Sequence, residues 1–302
     1  MKKVFVSTTT FAQEDPAILE VLAKAGISVT RNPLQRRLNE KEITEFLVRG
    51  GYDGLLAGLE PLTKNVLAKA QCLQVISRIG VGLDNVDQHA ARKLGIKVFN
   101  TPGVLTDSVA ELTIGLILAA LRKITISDRN MHQGKWSKEM GSLLKDKTLG
   151  IVGFGNIGQR VAKLAGAFGA KTIFYDVRKL KKNKAKQVTF AKLVESADII
   201  SLHSSGQDCL VGDKEIKAVK QGVIIVNTAR GRLIDENALL KGLSSGKVSC
   251  VALDVFEQEP YSGELCKYEN VILTAHIGSY AKEARIMMER MAVMNLMKAI
   301  PK

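Results

Sequence analysis

The chain holds 302 residues, 46% of them hydrophobic and 25% charged, enough for about two ordinary domains with filled cores. That excludes a disordered, collagen-like or disulfide-built chain; the four scattered cysteines (Cys72, Cys209, Cys250, Cys266) form no C-x-x-C metal clip and fit a reducing cytoplasm. The net charge of +14 suits attraction of a small anion, whereas the lysine-rich run at 178–186 lacks interleaved aromatics and reads as a solvated face, not a nucleic-acid surface.

Residues 3–6 (KVFV) predict a first strand and are too short an apolar run for a signal-peptide core. A helix over 16–25 closed by Gly26, a strand at 27–29, a helix over 40–49 and a strand at 54–57 follow. The series continues with a helix at 63–70, a strand at 73–76, a helix at 86–94 and a strand at 96–99. Such alternation implies a parallel sheet covered on both faces. After a turn at 100–103, Ser108 and Glu111 have the capping-box spacing, so a helix is expected to open at Ser108. It is apolar on nearly every face through Leu121, which implies burial all round, in a core or at a subunit interface. The run 112–121 falls short of the ~18 residues that span a bilayer, so the chain reads as soluble, with no membrane partner. A second alternating series runs from 148 to 275.

The strand at 148–152 feeds into Gly153-Phe154-Gly155-Asn156-Ile157-Gly158, and residues 159–168 have helical periodicity. In that setting Gly153 permits a tight turn, Gly155 admits a pyrophosphate to the backbone, and Gly158 allows close helix–strand packing. The amides at the helix start then face the phosphate charge. The next strand, 171–175, ends in Asp176, a carboxylate suited to both ribose hydroxyls and hostile to a 2′-phosphate. NAD is therefore the expected cofactor, and Arg178 and Lys179 are either solvent-exposed cations or partners of a 2′-phosphate.

Three later strands end in Arg230, in Asp254 with Glu259 beyond it, and in His276. Ligands of open α/β sheets bind beyond the carboxyl ends of the strands. An always-charged planar arginine can hold a carboxylate and polarise the adjacent carbonyl. A histidine can pass a proton to the carbonyl oxygen, and a neighbouring carboxylate orients the ring and favours its protonated form. Together these are what reduction of a 2-oxo acid needs. His203 follows the strand at 198–202 and either lines the nicotinamide side or packs in the core; His89 and His132 read as exposed. No histidine or acid spacing implies a metal.

The stretches SRIGVGLDNVD at 77–87, NTPGVLTDSVAELTIGLIL at 100–118, KDKTLGIVGFGNIG at 145–158, NTARG at 227–231, VALDVFEQEP at 251–260 and TAHIGS at 274–279 resemble, in that order, the D-isomer-specific 2-hydroxyacid dehydrogenase family. The resemblance covers essentially the whole chain and is nearest to short phosphoglycerate dehydrogenases without a regulatory C-terminal domain. It implies an α/β fold of two doubly wound parallel-sheet domains with a cleft between them. A Rossmann-type cofactor domain (99–279) is inserted in a flavodoxin-like substrate domain (1–98 plus 280–302). It implies Arg230, Glu259 and His276 as the catalytic residues. Cofactor contacts are implied at Gly153, Gly155, Asn156, Ile157, Gly158, Asp176, His203, Thr228, Ala229, Asp254 and Gly278. Substrate contacts are implied at Gly80, Val81 and Gly82, whose amides would cradle an anion, with a plain strand-to-helix turn as the other reading; Arg78, just before this loop, either adds a charge to that substrate site or makes a structural salt bridge. It also implies a homodimer formed through the helix near Ser108.

The implied activity is hydride transfer between NAD and a D-2-hydroxy acid, with D-3-phosphoglycerate, as in serine biosynthesis, ahead of glyoxylate or hydroxypyruvate. Arg78 and Lys138 are the cations expected near a phosphate, although Gly58 stands where phosphoglycerate members often carry a basic residue. After His203 the run 204–208 (SSGQD) lacks the Pro and Thr common in relatives. The remaining reading of another class is an NADH-sensing, corepressor-like interaction protein, which predicts cofactor binding without turnover.

Overall fold

The computed structural model describes residues 1–180, 185–206 and 208–301; residues 181–184 of the lysine run, Gln207 and Lys302 lie outside the described residues. The chain divides into two compact units, Met1–Leu105 with Ser279–Lys302, and Thr106–Gly278. The first crossing falls at Leu105/Thr106 rather than after residue 98, because Phe99, Val104 and Leu105 pack on the core of the first unit.

The first unit runs β1 (Lys2–Val6), α1 (Ala17–Lys24), β2 (Ile27–Arg31), α2 (Glu40–Gly50), β3 (Gly54–Ala57), α3 (Lys64–Lys69), β4 (Val75–Arg78), α4 (Gln88–Lys93) and β5 (Lys97–Phe99). The second holds α5 (Thr106–Arg122), α6 (Ile124–His132), β6 (Thr148–Val152), α7 (Asn156–Ala167), β7 (Lys171–Tyr175), β8 (Lys186–Gln187), α8 (Phe190–Ser196), β9 (Ile199–Leu202), α9 (Asp213–Ala218), β10 (Val223–Asn227), α10 (Glu236–Ser244), β11 (Val248–Leu253) and β12 (Val271–Leu273). The chain closes with α11 (Lys282–Ala299), back in the first unit.

The first sheet has the order β2-β1-β3-β4-β5 and is parallel throughout. Its strands β3 and β4 are buried along their whole length, Ser77 and Arg78 included, because both faces are covered. Ile43, Leu47, Val66 and Ala90 of three helices pack on one face, and Ile18, Leu22, Met288, Ala292 and Leu296 of α1 and α11 on the other. Short polar side chains open several helices by accepting from the first turn's amides, as Asn39 does from Glu42 at 2.9 Å and Asp87 from Ala90 at 2.8 Å. The fourth strand begins at Val75, not at residue 73: the Leu73 amide turns back to the Ala70 carbonyl at 2.9 Å and closes α3. The strand therefore runs on to Arg78 and delivers that side chain to the sheet's carboxyl edge.

The second sheet has the order β12-β11-β10-β9-β6-β7-β8, also parallel throughout. Successive strands lie on one side of β6 and then on the other, so the strand order reverses at β6/β9, where a dinucleotide fold opens its crevice. Helix α5 opens at Thr106, and Ser108 is not its cap: the Ser108 hydroxyl donates instead to the Gly278 carbonyl at 2.6 Å. Nor does the chain bury α5 all round. Val109, Ala110, Ile114 and Ile117 are buried, while Glu111 and Gly115 are exposed. Among the described residues no helix is long and apolar enough to cross a membrane.

Candidate active site

The glycine turn after β6 is shaped by its neighbours. Gly153 has φ +91, and a Cβ there would lie 2.7 Å from the His203 backbone, so the turn and the end of β9 can approach only without a side chain. A Cβ on Gly158 would come within 2.3 Å of the Gly153 carbonyl oxygen, which seats α7 against the turn. At Gly155 the space beyond a Cβ is open to 4 Å, and no side chain caps the start of α7. Helix-start amides facing open space suit a diphosphate.

Asp176 lies just past β7 and is tied to that turn, its Oδ2 accepting from the Phe154 amide at 2.8 Å. Arg178 donates to the same carboxylate through its backbone amide at 2.9 Å and its guanidinium at 3.0 and 3.2 Å. The Arg178 side chain, against desolvation, holds the Asp176 pKa down to about 2. Thus Arg178 is engaged by Asp176 rather than standing alone in solvent, and Lys179 is exposed. The pair keeps an ionised carboxylate beside the glycine turn.

His203 follows β9 on the same edge. Its Nε2 meets the Ser201 hydroxyl at 2.8 Å, and its Nδ1 is buried without a hydrogen-bond partner among the described residues. Burial lowers its pKa to about 3, so the ring is neutral at physiological pH.

Arg230, Glu259 and His276 rise from the carboxyl ends of β10, β11 and β12, three adjacent strands. Asn227 shapes the first turn, accepting from the Ala229 amide at 3.0 Å and donating to the Arg230 carbonyl at 2.8 Å. Thr228 is buried and shares a hydroxyl contact of 2.9 Å with Thr113 of α5. A Cβ on Gly231 would fall 2.0 Å from the Phe256 carbonyl carbon, so glycine lets the Arg230 turn lie against the segment leading to Glu259. The Glu259 carboxylate accepts from the Phe256 amide at 3.2 Å and faces His276 Nδ1 at 2.9 and 3.1 Å. A carboxylate only accepts, so Nδ1 carries the proton of this contact and Nε2 stays outside it.

His276 adopts φ +55, the left-handed region that a histidine rarely occupies. Asp254 holds that conformation. It is 1% exposed and accepts from the Thr274 hydroxyl (2.6 Å), the Ile277 amide (2.8 Å) and the Gly278 amide (2.9 Å). Asp254 thus braces the loop that carries the histidine. Neither that role nor those of Asn227 and Ser201 shows in the sequence reading; the one available signal was a polar residue closing each apolar strand.

In the first unit, the Gly80 amide donates to Thr101 Oγ1 at 3.1 Å and to the Arg78 carbonyl at 3.0 Å. Among the described residues the Val81 and Gly82 amides make no such bond, which leaves two amides for a cradle. Arg78 is 9% exposed, its guanidinium folded against Gly80. Lys138 is exposed on the segment between α6 and β6 of the second unit. Among the described residues no cluster of histidine, cysteine and acidic side chains could hold a metal.

Residues 114–278 match the sequence profile of the D-isomer specific 2-hydroxyacid dehydrogenase NAD binding domain. A glyoxylate reductase of Thermococcus litoralis is 43% identical over 254 residues, 78% of this chain and 77% of the relative. A D-3-phosphoglycerate dehydrogenase of Archaeoglobus fulgidus is 40% identical over 298 residues, 94% of this chain but 54% of the relative. The solved structure of D-lactate dehydrogenase from Aquifex aeolicus, complexed with NAD and lactic acid, superposes with a TM-score of 0.82 at 27% identity, covering 97% of this chain and 94% of that one. The chain belongs to the D-isomer specific 2-hydroxyacid dehydrogenase family, an NAD-dependent group of enzymes, and its second unit carries the NAD-binding domain.

Proposed function

We propose that this dehydrogenase uses Arg230, His276 and Glu259 to interconvert a D-2-hydroxy acid and its 2-oxo acid. NAD, when bound, takes or supplies the hydride. Arg230 holds the substrate carboxylate and polarises the neighbouring carbonyl. His276 Nε2 gives its proton to the carbonyl oxygen in reduction and takes one from the hydroxyl in oxidation. Glu259 keeps the ring oriented for both directions. The Val81 and Gly82 amides and Arg78 are the anion-binding groups of the first unit. The observation that carries this reading is the contact between His276 Nδ1 and both Glu259 oxygens on the edge that also presents Arg230.

His276→Ala should bind NADH almost as tightly as the parent while losing about 10²–10⁴-fold in kcat, the usual worth of a general acid–base. Normal turnover by that variant would remove the assignment. An interaction protein that only senses NADH would show no turnover in the parent with any 2-oxo acid.

Two substrate readings have support. Arg78 on the sheet edge and the D-3-phosphoglycerate dehydrogenase relative favour 3-phosphoglycerate. The glyoxylate reductase relative, and the lack of a basic residue at Gly58, favour a short 2-oxo acid. The exposed strip of α5 at Glu111 and Gly115 supports pairing of two chains through that helix. Exposed free thiols at Cys72, Cys209 and Cys266 suit a reducing cytoplasm.

A further inference from the structure

The turn that carries Asp176 is held by a side chain that the cofactor site above does not use. β8 is two residues long and lies at the edge of the second sheet, Lys186 beside Ile173 and Gln187 beside Phe174. The Val188 amide donates to the Phe174 carbonyl at 2.9 Å, so the end of β8 is fixed against β7 two residues short of Asp176. From there the half-buried Gln187 side chain reaches across the turn that follows β7. Its Nε2 donates to the Asp176 carbonyl at 3.1 Å and to the Arg178 carbonyl at 2.8 Å. Its Oε1 accepts from the Leu180 amide at 3.1 Å. Leu180 in turn packs against the core that contains Phe174.

Two donors and an acceptor at one side-chain end are what a primary amide supplies. A carboxylate of the same length would turn an oxygen toward both carbonyls, and a thioether would bond none of the three groups. The consequence falls on Arg178. Its amide is held by Asp176 Oδ1 at 2.9 Å and its carbonyl by Gln187 at 2.8 Å, so its backbone is fixed on both sides. Its guanidinium meanwhile lies on the Asp176 carboxylate at 3.0 and 3.2 Å. In dinucleotide folds the acid at the end of the second strand receives the ribose hydroxyls, and a 2′-phosphate is accommodated by a nearby arginine. Here that arginine is Arg178. To serve a phosphate it must leave Asp176 and turn away, and a backbone fixed on both sides gives it little room to do so.

We propose that Gln187 sets the cofactor preference: by clamping residues 176–180 it keeps Arg178 on Asp176 and withholds from NADPH the cation that its 2′-phosphate needs. Gln187 acts through Arg178 and is therefore a positioning residue. The clamp lies wholly in the second unit and stands apart from the roles given to Arg230, Glu259 and His276.

Dissociation constants of NADH and NADPH, measured on the full chain by isothermal titration calorimetry, test this without any turnover. The parent should bind NADH at least about tenfold more tightly than NADPH, the low end of what a hydrogen bond to a charged group is worth. Gln187→Met keeps the length of the side chain and removes all three bonds. It should narrow the ratio by about tenfold through tighter NADPH binding, with the NADH constant within about twofold of the parent's. In an Arg178→Met background no guanidinium is left to release, and the same substitution should leave the ratio within about twofold. A parent that binds NADPH as tightly as NADH overturns the proposal without needing any variant to fold. So does a Gln187→Met protein whose ratio stays put, or one in which both constants rise by the same factor, the mark of a merely structural role. An equal shift of the ratio with and without Arg178 overturns the route through the guanidinium.

Discussion

Replacing Asp254 by Asn tests the brace on the catalytic loop with almost no change of volume. The carboxylate receives three donors: Thr274 and Ile277 on Oδ1, and Gly278 on Oδ2. An amide has one oxygen, so in either orientation its NH2 group faces at least one backbone N–H. A buried donor without an acceptor costs about 1–3 kcal/mol, and the surviving bonds lose the roughly twofold strength that ionic charge lends them. The sum is a destabilisation of about 3 kcal/mol in the second unit. The same loss frees His276 from its φ of +55, a conformation worth keeping only under restraint. A misplacement of about 1 Å in a catalytic group costs on the order of 10²-fold in rate, so kcat should fall by about that factor while NADH affinity holds. Urea unfolding followed by far-UV circular dichroism measures the first quantity; the single tryptophan, Trp136, is 80% exposed and would report poorly by fluorescence. Steady-state turnover of hydroxypyruvate measures the second. A variant within about 0.5 kcal/mol of the parent in stability, the usual range of surface changes, and within twofold in kcat would refute the brace.

Glu259→Gln should retain NADH binding and lose about 10²–10⁴-fold in kcat, since an amide facing Nδ1 no longer specifies which ring nitrogen carries the proton; stopped-flow turnover beside a binding titration separates the two effects. Asp176→Ala should erode the preference for NADH over NADPH, because the ionised acceptor disappears while Arg178 is released for a 2′-phosphate. With the Asp176 pKa lowered to about 2, its charge is lost only as pH falls through that value, so Asp176 should give the parent's NADH Kd no pH dependence between about pH 5 and 8. His203, lowered to about 3, binds a proton in the unfolded chain below about pH 6.5 but not in the folded one. Stability should therefore drop as pH falls from about 6.5, by at most about 2 kcal/mol at pH 5, and His203→Gln should lose that share of the acid sensitivity in urea titrations at pH 7 and 5.

Much of the architecture was legible because it is written in local pattern. Apolar runs separated by helical periods announce two parallel sheets, and the G-x-G-x-x-G turn between a strand and a helix states its own geometry, since steric limits on glycine act within a few residues. Arg230, Glu259 and His276 could be picked out because each closes a strand in a parallel sheet, and such a sheet gathers its strand ends on one edge. What the one-dimensional pattern could not supply is the partner of each polar group. Ser108 has the spacing of a cap, yet its hydroxyl bonds the carbonyl of Gly278, on the far side of the domain's sequence. Likewise the Gly80 amide finds Thr101, and Asp254 finds Thr274, Ile277 and Gly278. The fourth strand slid toward Arg78 because the Leu73 amide was already engaged in closing the helix before it. Backbone propensity and side-chain period are properties of neighbours along the chain, whereas buried hydrogen bonds and paired charges are properties of neighbours in space. Only the folded chain determines which carboxylate holds the histidine loop.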